Sequence, residues 1–152
     1  MAGKASELRG GCQCGAVRYR LAVAPTGASI CHCRMCQKAG GAPFMVFAGV
    51  PLADLHWTRG APKIFASSTI AERGFCGDCG TPLTYHMHGY DRISVTICSL
   101  DDPKAIPPTR QLGVESKTPW LEAALALPAQ TTGDWLRLDA AAVGDRQHPD
   151  HE

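Results

Sequence analysis

The chain has 152 residues, enough for one domain that buries roughly 70% of the surface its unfolded form exposes, so a genuine core is expected and a second domain is not. Fifteen basic residues stand against fourteen acidic ones, for a net charge of +1 and a pI near 7.6. With no block of like charge, a nucleic-acid tail and a membrane-binding patch are both disfavoured.

Residues 1–7 read as a loose terminus. The first thirty residues carry charges at Lys4, Glu7, Arg9, Arg18 and Arg20 and contain no continuous apolar run. Neither a signal peptide nor a membrane span is expected, and the chain is expected in the cytoplasm. In a reducing compartment eight cysteines read as metal ligands rather than disulfides.

The first chemical feature is Gly11-Cys12-Gln13-Cys14-Gly15, a glycine-flanked C-x-C whose tight backbone lets two sulfurs reach one ion. From Ala16 to Ala22 the pattern alternates, with Val17, Tyr19 and Leu21 on one face and Arg18 and Arg20 on the other, which predicts a half-buried strand. Pro25 to Gly27 makes a turn. Ser29 to Cys31 then leads into Cys31, His32, Cys33, Arg34, Met35 and Cys36, followed by Gln37, Lys38 and the pair Gly40 and Gly41.

Pro43 to Val50, with Phe44, Met45, Val46 and Phe47, predicts a strand buried on nearly both faces. Pro51, Gly60 and Pro62 break the next region into the short strands Leu55 to Thr58 and Lys63 to Ser67, and Ile70 to Phe75 reads as another. Cys76-Gly77-Asp78-Cys79-Gly80 is a zinc-knuckle turn, in which glycine tolerates the twist that brings amides to the sulfurs. Pro82 to Met87 and Arg92 to Ser99 predict two further strands around Gly89, the second placing Cys98 as a small buried strand residue.

After Pro107 and Pro108 an extended piece is expected near Gln111 to Glu115, then a helix from about Pro119 to Leu127 between two prolines. Trp135, Leu136 and Leu138 look anchored. The expected organisation is a single domain over 8–140 and a flexible tail over 141–152. The fold class is mainly β: small, antiparallel, stapled by metal, with a short C-terminal helix.

Seven of the eight cysteines fall into three groups. The C-x-C and the C-x-x-C-G together supply four thiolates, the number a closed tetrahedral zinc site takes. Such a site, on Cys12, Cys14, Cys76 and Cys79, would join the start of the domain to its middle and contribute on the order of 10 kcal/mol to folding. Cys31, Cys33 and Cys36 supply only three. Three thiolates on a dication leave a net charge of about −1, which weakens the metal as an acid for water but suits it to a substrate thiol, kept deprotonated by coordination. The alternative is a second closed site completed by His32, His86, His88 or Cys98, with His32 disfavoured because it lies between two ligands.

With these groups in place, the chain resembles the glutathione-dependent formaldehyde-activating enzyme family, which also includes centromere protein V. The resemblance runs from Gly11 to about Trp120 and rests on the C-x-C, Cys31-His32-Cys33-Arg34-Met35-Cys36, Arg73-Gly74-Phe75-Cys76-Gly77-Asp78-Cys79-Gly80, and Ser99-Leu100-Asp101-Asp102-Pro103. It implies a β-tent of two small antiparallel sheets. It also implies two zinc ions per chain, structural on Cys12, Cys14, Cys76 and Cys79 and catalytic on Cys31, Cys33 and Cys36. The implied activity is condensation of formaldehyde with glutathione to S-hydroxymethylglutathione, a carbon–sulfur lyase reaction.

Glutathione carries two carboxylates, so Arg34, Lys38 and Arg73 are the candidates to bind it. The expected partners are a small-molecule thiol and an aldehyde, with no nucleic acid and no membrane; a homodimer is left open. The competing function is a non-catalytic zinc-stabilised binding module or a glutathione carrier.

Overall fold

The computed structural model describes residues 7–136 and 144–151. Residues 1–6 of the expected loose terminus, Leu138, and residues 141–143 and 152 of the expected tail lie outside the described residues. No helix among the described residues is long and apolar enough to cross a membrane.

In chain order the strands are β1 (Leu8–Gly11), β2 (Arg18–Leu21), β3 (Ala28–Cys31), β4 (Met45–Pro51), β5 (Leu55–Arg59), β6 (Lys63–Ala66), β7 (Ala71–Phe75), β8 (Pro82–Met87), β9 (Arg92–Thr96) and β10 (Pro108–Leu112). Among the described residues three short α-helices accompany them: α1 (Arg34–Gly40), α2 (Leu121–Ala124) and α3 (Thr132–Leu136). The class is therefore mainly β. Pro51 ends β4, Gly60 follows β5, and Gly80 and Gly89 lie in the turns before and after β8, as residues that weaken a strand tend to.

Two sheets result, but they are unequal. β2 lies between β1 and β5 in a three-stranded antiparallel sheet, while the other sheet has seven strands in the order β10, β3, β4, β9, β8, β7, β6. The expected two antiparallel sheets are found, with two differences of detail: the second has seven strands, and β10 pairs parallel with β3. The segment from Ile97 to Pro107 carries the chain back over the sheet after β9. β9 and β10 therefore run the same way, with two strands between them, and a segment of this length makes the crossover.

The core forms where the sheets face each other. Tyr19 and Leu21 of β2 pack with Ala48 and Val50 of β4, Leu83 of β8, and Ile93 and Val95 of β9. The alternation in β2 holds for these residues, but Arg18, expected on the solvent face, is buried. The reason is Asp101, whose two oxygens accept hydrogen bonds from Arg18 Nη1 and Nη2 at 2.8 and 2.7 Å. The same turn reaches the small sheet through a Gly10–Leu100 bridge and through the Tyr19 hydroxyl, 2.7 Å from Ser99 Oγ.

Three further local expectations are corrected. β9 ends at Thr96, and Ile97–Ser99 turn as a single 3-10 turn closed by Ser99 Oγ donating to the Thr96 carbonyl at 2.8 Å, so Cys98 is exposed and not a buried strand residue. The helix expected over Pro119 to Leu127 shrinks to α2, because only Leu121 finds the core while Leu125 and Leu127 stay exposed; helices this short persist only where packing holds them. The extended piece near Gln111 lies a few residues earlier, as β10.

Residues 144–151 lie back against the first cysteine turn: the His148 N–H donates to the Gln13 carbonyl, and its ring packs over Gly15.

Candidate metal centre and adjoining cavity

Cys12 and Cys14 follow β1, and Cys76 and Cys79 follow β7, so two strand ends from different sheets deliver four sulfurs to one place. Each turn is closed by its own backbone: Gly15 N–H donates to the Cys12 carbonyl at 3.1 Å and Gly80 N–H to the Cys76 carbonyl at 3.0 Å. Gly80 adopts φ of 78°, a left-handed conformation that side-chain-bearing residues rarely take.

All four sulfurs lie within 4.8 Å of one another. Cys14 Sγ is 3.6 Å from Cys12 Sγ and 3.8 Å from Cys76 Sγ. A zinc–sulfur bond of about 2.3 Å gives a tetrahedron with edges of roughly 3.8 Å, so the spacing fits a tetrathiolate site. Donors already point at the sulfurs. Val17 N–H lies 3.2 Å from Cys12 Sγ, Asp78 N–H 3.4 Å from Cys76 Sγ, and Thr81 Oγ1 3.1 Å from Cys79 Sγ. Burial raises the Cys79 thiol, but the Thr81 hydroxyl and N–H, together with Cys14, lower it to about 6. These donors suit Cys79 as a thiolate, whereas burial raises the Cys76 thiol; the Ala16 N–H pulls Cys14 down, but desolvation and crowding by the other three sulfurs raise it to about 12.

The second group is built locally. Cys31 ends β3, Cys33 caps α1, and Cys36 stands in its first turn, so a strand end and one helical turn fold three sulfurs within 4.8 Å. Gly41 ends α1 with φ of 61° and an N–H donated to the Gln37 carbonyl, the left-handed helix stop that a Gly-Gly pair provides. No histidine, carboxylate or eighth cysteine joins this group among the described residues.

The alternative fourth ligands are placed elsewhere. His32 is buried with Nε2 on Gln111 Oε1 at 2.9 Å and its ring edge on Phe44. His86 and His88 flank Glu72 at 3.7 and 3.5 Å. Cys98 sits in its exposed turn.

Arg73 decides the character of this group. Its side chain is buried, with Nη2 donating to Cys36 Sγ at 3.3 Å and the guanidinium 4.9 Å from the centre of the Tyr85 ring. Among the described residues no carboxylate pairs with it. A buried cation is tolerable when its neighbours are anionic, so the donor set fits three thiolates on a soft dication. Burial pushes the Cys36 thiol up to about 12 against the opposing pull of Arg73, and crowding by Cys31 and Cys33 adds to the rise. Burial also raises the Cys33 thiol, but the Cys36 N–H, the neighbouring thiols and Arg73 bring it below its ordinary value.

A cavity of about 490 Å³ opens beside the group. Arg73, which donates to Cys36, and Met45, which packs in the same cluster, are part of its wall. Arg34 and Lys38 from α1 complete the basic lining, so all three basic residues singled out from the sequence meet at one cavity. Sequence reasoning missed Met45, Phe65 and Tyr85. Their only signal was apolar alternation within strands, which does not say which face meets a site. It also missed Gln37, whose amide donates to the His32 and Ser116 carbonyls at 2.8 Å each and so fixes α1 beneath the sulfurs.

The family model described as glutathione-dependent formaldehyde-activating enzyme matches residues 7–116. The chain belongs to that family. An uncharacterised lyase of Schizosaccharomyces pombe is 34% identical over 79 residues, 52% of this chain and 57% of the relative, so the match spans little more than half of that protein. A Halomonas elongata protein named for the same family is 29% identical over 126 residues, 76% of this chain and 80% of the relative. Among solved structures, a Rhodobacter sphaeroides protein shares the fold with a TM-score of 0.54 at 22% identity, over 68% of this chain and 98% of its own.

Proposed function

We propose that this chain joins a small thiol, with glutathione the leading candidate, to formaldehyde or a similar aldehyde, as a carbon–sulfur lyase acting in the direction of synthesis. The observation that carries the reading is a group of three sulfurs, without a fourth protein donor among the described residues, packed behind Arg73 and Met45, which wall a cavity also lined by Arg34 and Lys38. Membership of the family and the lyase relative support the same class of chemistry.

Within this reading the domain over 8–140 acts as one unit. Cys12, Cys14, Cys76 and Cys79 hold a structural zinc, and Cys31, Cys33 and Cys36 hold the catalytic one. Zinc on those three cysteines supplies a soft positive centre that keeps a substrate thiol deprotonated at neutral pH. Arg34 and Lys38 bind the substrate's carboxylates, and Arg73 offsets the negative charge gathered around the sulfurs. Met45 and Phe75 wall the cavity against water. The substrate thiolate attacks the carbonyl carbon, the π electrons move to oxygen, and the oxygen takes up one proton, so thiol and aldehyde become a hydroxymethyl thioether with nothing left over. Holding both reactants in one cavity removes the entropic part of the barrier.

The test is the rate of glutathione-dependent formaldehyde consumption by zinc-loaded protein against the spontaneous rate, with Cys36→Ser alongside. Acceleration by the wild type and not by the variant is expected. Equal rates with and without protein would overturn the reading.

A further inference from the structure

A second cationic hollow lies on the large sheet and shares no lining residue with the cavity beside Arg73. It belongs to the sheet face turned away from the small sheet. On that face Gly49 of β4 stands opposite Ser94 of β9, and Arg92 lies two residues before Ser94. Arg110 of β10 lies opposite Ser29 of β3, which pairs with Phe47, two residues before Gly49. The strands thus hold Arg92 and Arg110 on one face with β3 and β4 between them. Together with Thr26, Gly27, Ser94 and Thr109 they line a cavity of about 300 Å³.

Its charge is unbalanced. No carboxylate is in the lining, and among the described residues neither guanidinium forms an ion pair. In a chain whose acids and bases are almost equal in number, two such arginines facing one space stand out. Arg92 is also held in place, its Nη2 donating to the Gly49 carbonyl at 2.8 Å, which leaves its other N–H groups for a ligand.

The floor is bare where the fold does not require it to be. Gly49 sits inside the seven-residue β4, an interior strand in which a glycine weakens pairing. Its backbone is not left-handed, and a Cβ there would come no closer than 3.7 Å to its nearest neighbour, Arg92 Nη2. Gly27 is similar, with Thr109 Oγ1 at 3.6 Å from such a Cβ. A strand glycine that neither backbone nor packing demands marks a place where a ligand comes close to the main chain. Arg110 by itself would be ordinary, since charged side chains commonly guard an edge strand. The open floor between two arginines is not.

We infer that this hollow binds a phosphate group, as the free ion or as a phosphomonoester. A compact dianion has oxygens enough to accept from both guanidinium forks and from the Ser94 and Thr26 hydroxyls. A single carboxylate, with one charge and two oxygens, leaves one fork unmatched. The site is independent of both cysteine groups and of the reaction proposed above.

The experiment is calorimetry on the full chain, with zinc bound and none in excess, in a buffer free of phosphate. The probes are inorganic phosphate, glycerol 3-phosphate and succinate. Both phosphates are expected to bind at a single site, and succinate roughly tenfold more weakly or not at all. Arg92→Gln and Arg110→Gln should each weaken phosphate binding by roughly tenfold or more, the loss of a hydrogen bond to a charged group; both side chains are exposed, so folding is not at stake. Arg110→Lys should lose less than Arg110→Gln. Gly49→Val keeps both charges and fills the floor. A β-branched residue suits a strand, so this variant should melt no lower than the wild type without phosphate and yet lose phosphate binding. Tighter binding of glycerol 3-phosphate than of phosphate identifies an ester as the ligand, and the reverse identifies the free ion.

No binding of either phosphate, succinate binding as tightly as phosphate, or binding that survives the arginine variants or Gly49→Val overturns the proposal. So does phosphate binding that is lost with Arg34→Gln and Lys38→Gln together but kept with Arg92→Gln, which would place the anion in the other cavity.

Discussion

Replacing Arg73 by methionine should weaken metal binding at Cys31, Cys33 and Cys36 while leaving Cys12, Cys14, Cys76 and Cys79 unaffected. With all three thiols protonated the smaller group is neutral, whereas three thiolates on a dication carry about −1, so a fixed cation favours the loaded state. Arg73 Nη2 is 3.3 Å from Cys36 Sγ. At that separation a pair of unit charges attracts by roughly 5 kcal/mol at an effective dielectric of 20. That is a ceiling, because the guanidinium is 8% exposed and has already lost most of its hydration. A hydrogen bond to a charged group contributes about 1.5–3 kcal/mol net, which corresponds to a ten- to hundredfold loss of affinity. Competition against a chelating indicator at neutral pH resolves the two sites, and the four-sulfur site serves as an internal control. Arg73→Lys, which keeps the charge but not the planar fork, should fall between. Equal weakening of both sites would indicate a fold defect, and no weakening at either would refute the electrostatic argument.

The remaining predictions concern stability. Asp101→Ala removes the bidentate partner of a buried guanidinium and should lower the free energy of unfolding by about 3 kcal/mol or more; a urea titration showing less than about 1 kcal/mol would mean that the turn does not hold the two sheets together. Cys76→Ser should lower the melting temperature far more than Cys36→Ser, and thermal scans with matched shifts would contradict the division into structural and functional sites. Burial keeps the Tyr19 phenol well above its ordinary value. The folded protein therefore retains a proton that the unfolded chain releases near pH 10. This contribution is intact below that pH and is lost as the pH rises toward the folded value, so Tyr19→Phe should flatten the stability decline above about pH 10.

Much of this architecture can be read from residue order. Glycine and proline punctuation places most of the strands, and the alternation of Val17, Tyr19 and Leu21 with charged residues identifies the central strand of the small sheet. Cysteine spacing separates four ligands from three. What alternation does not encode is what lies across the sheet. Arg18 has the sequence context of a surface residue and becomes buried because Asp101, 83 positions later, folds over it. Arg73 is similar: nothing near it in sequence indicates that its neighbour is Cys36. The helix α1 has a local signal, since Met35, Gln37, Lys38 and Ala39 are good helix formers ahead of Gly40 and Gly41, but Cys33 beside it and Cys36 within it are weak ones and blur its start.

The two cysteine groups differ in a way that spacing alone makes physical. Cys14 and Cys76 are 62 positions apart and meet only when strands of both sheets have formed. A metal at that site therefore binds the folded chain and hardly the unfolded one, and its binding free energy becomes folding free energy. Cys31, Cys33 and Cys36 lie within one short stretch, and an unfolded chain can bring them to an ion as well. Affinity shared by both states adds little to stability. The local group is thus free to exchange a ligand, and to be tuned by Arg73 and the cavity beside it, without loosening the fold. The distant group has less freedom, because opening it removes one of the ties between the small sheet and the large one.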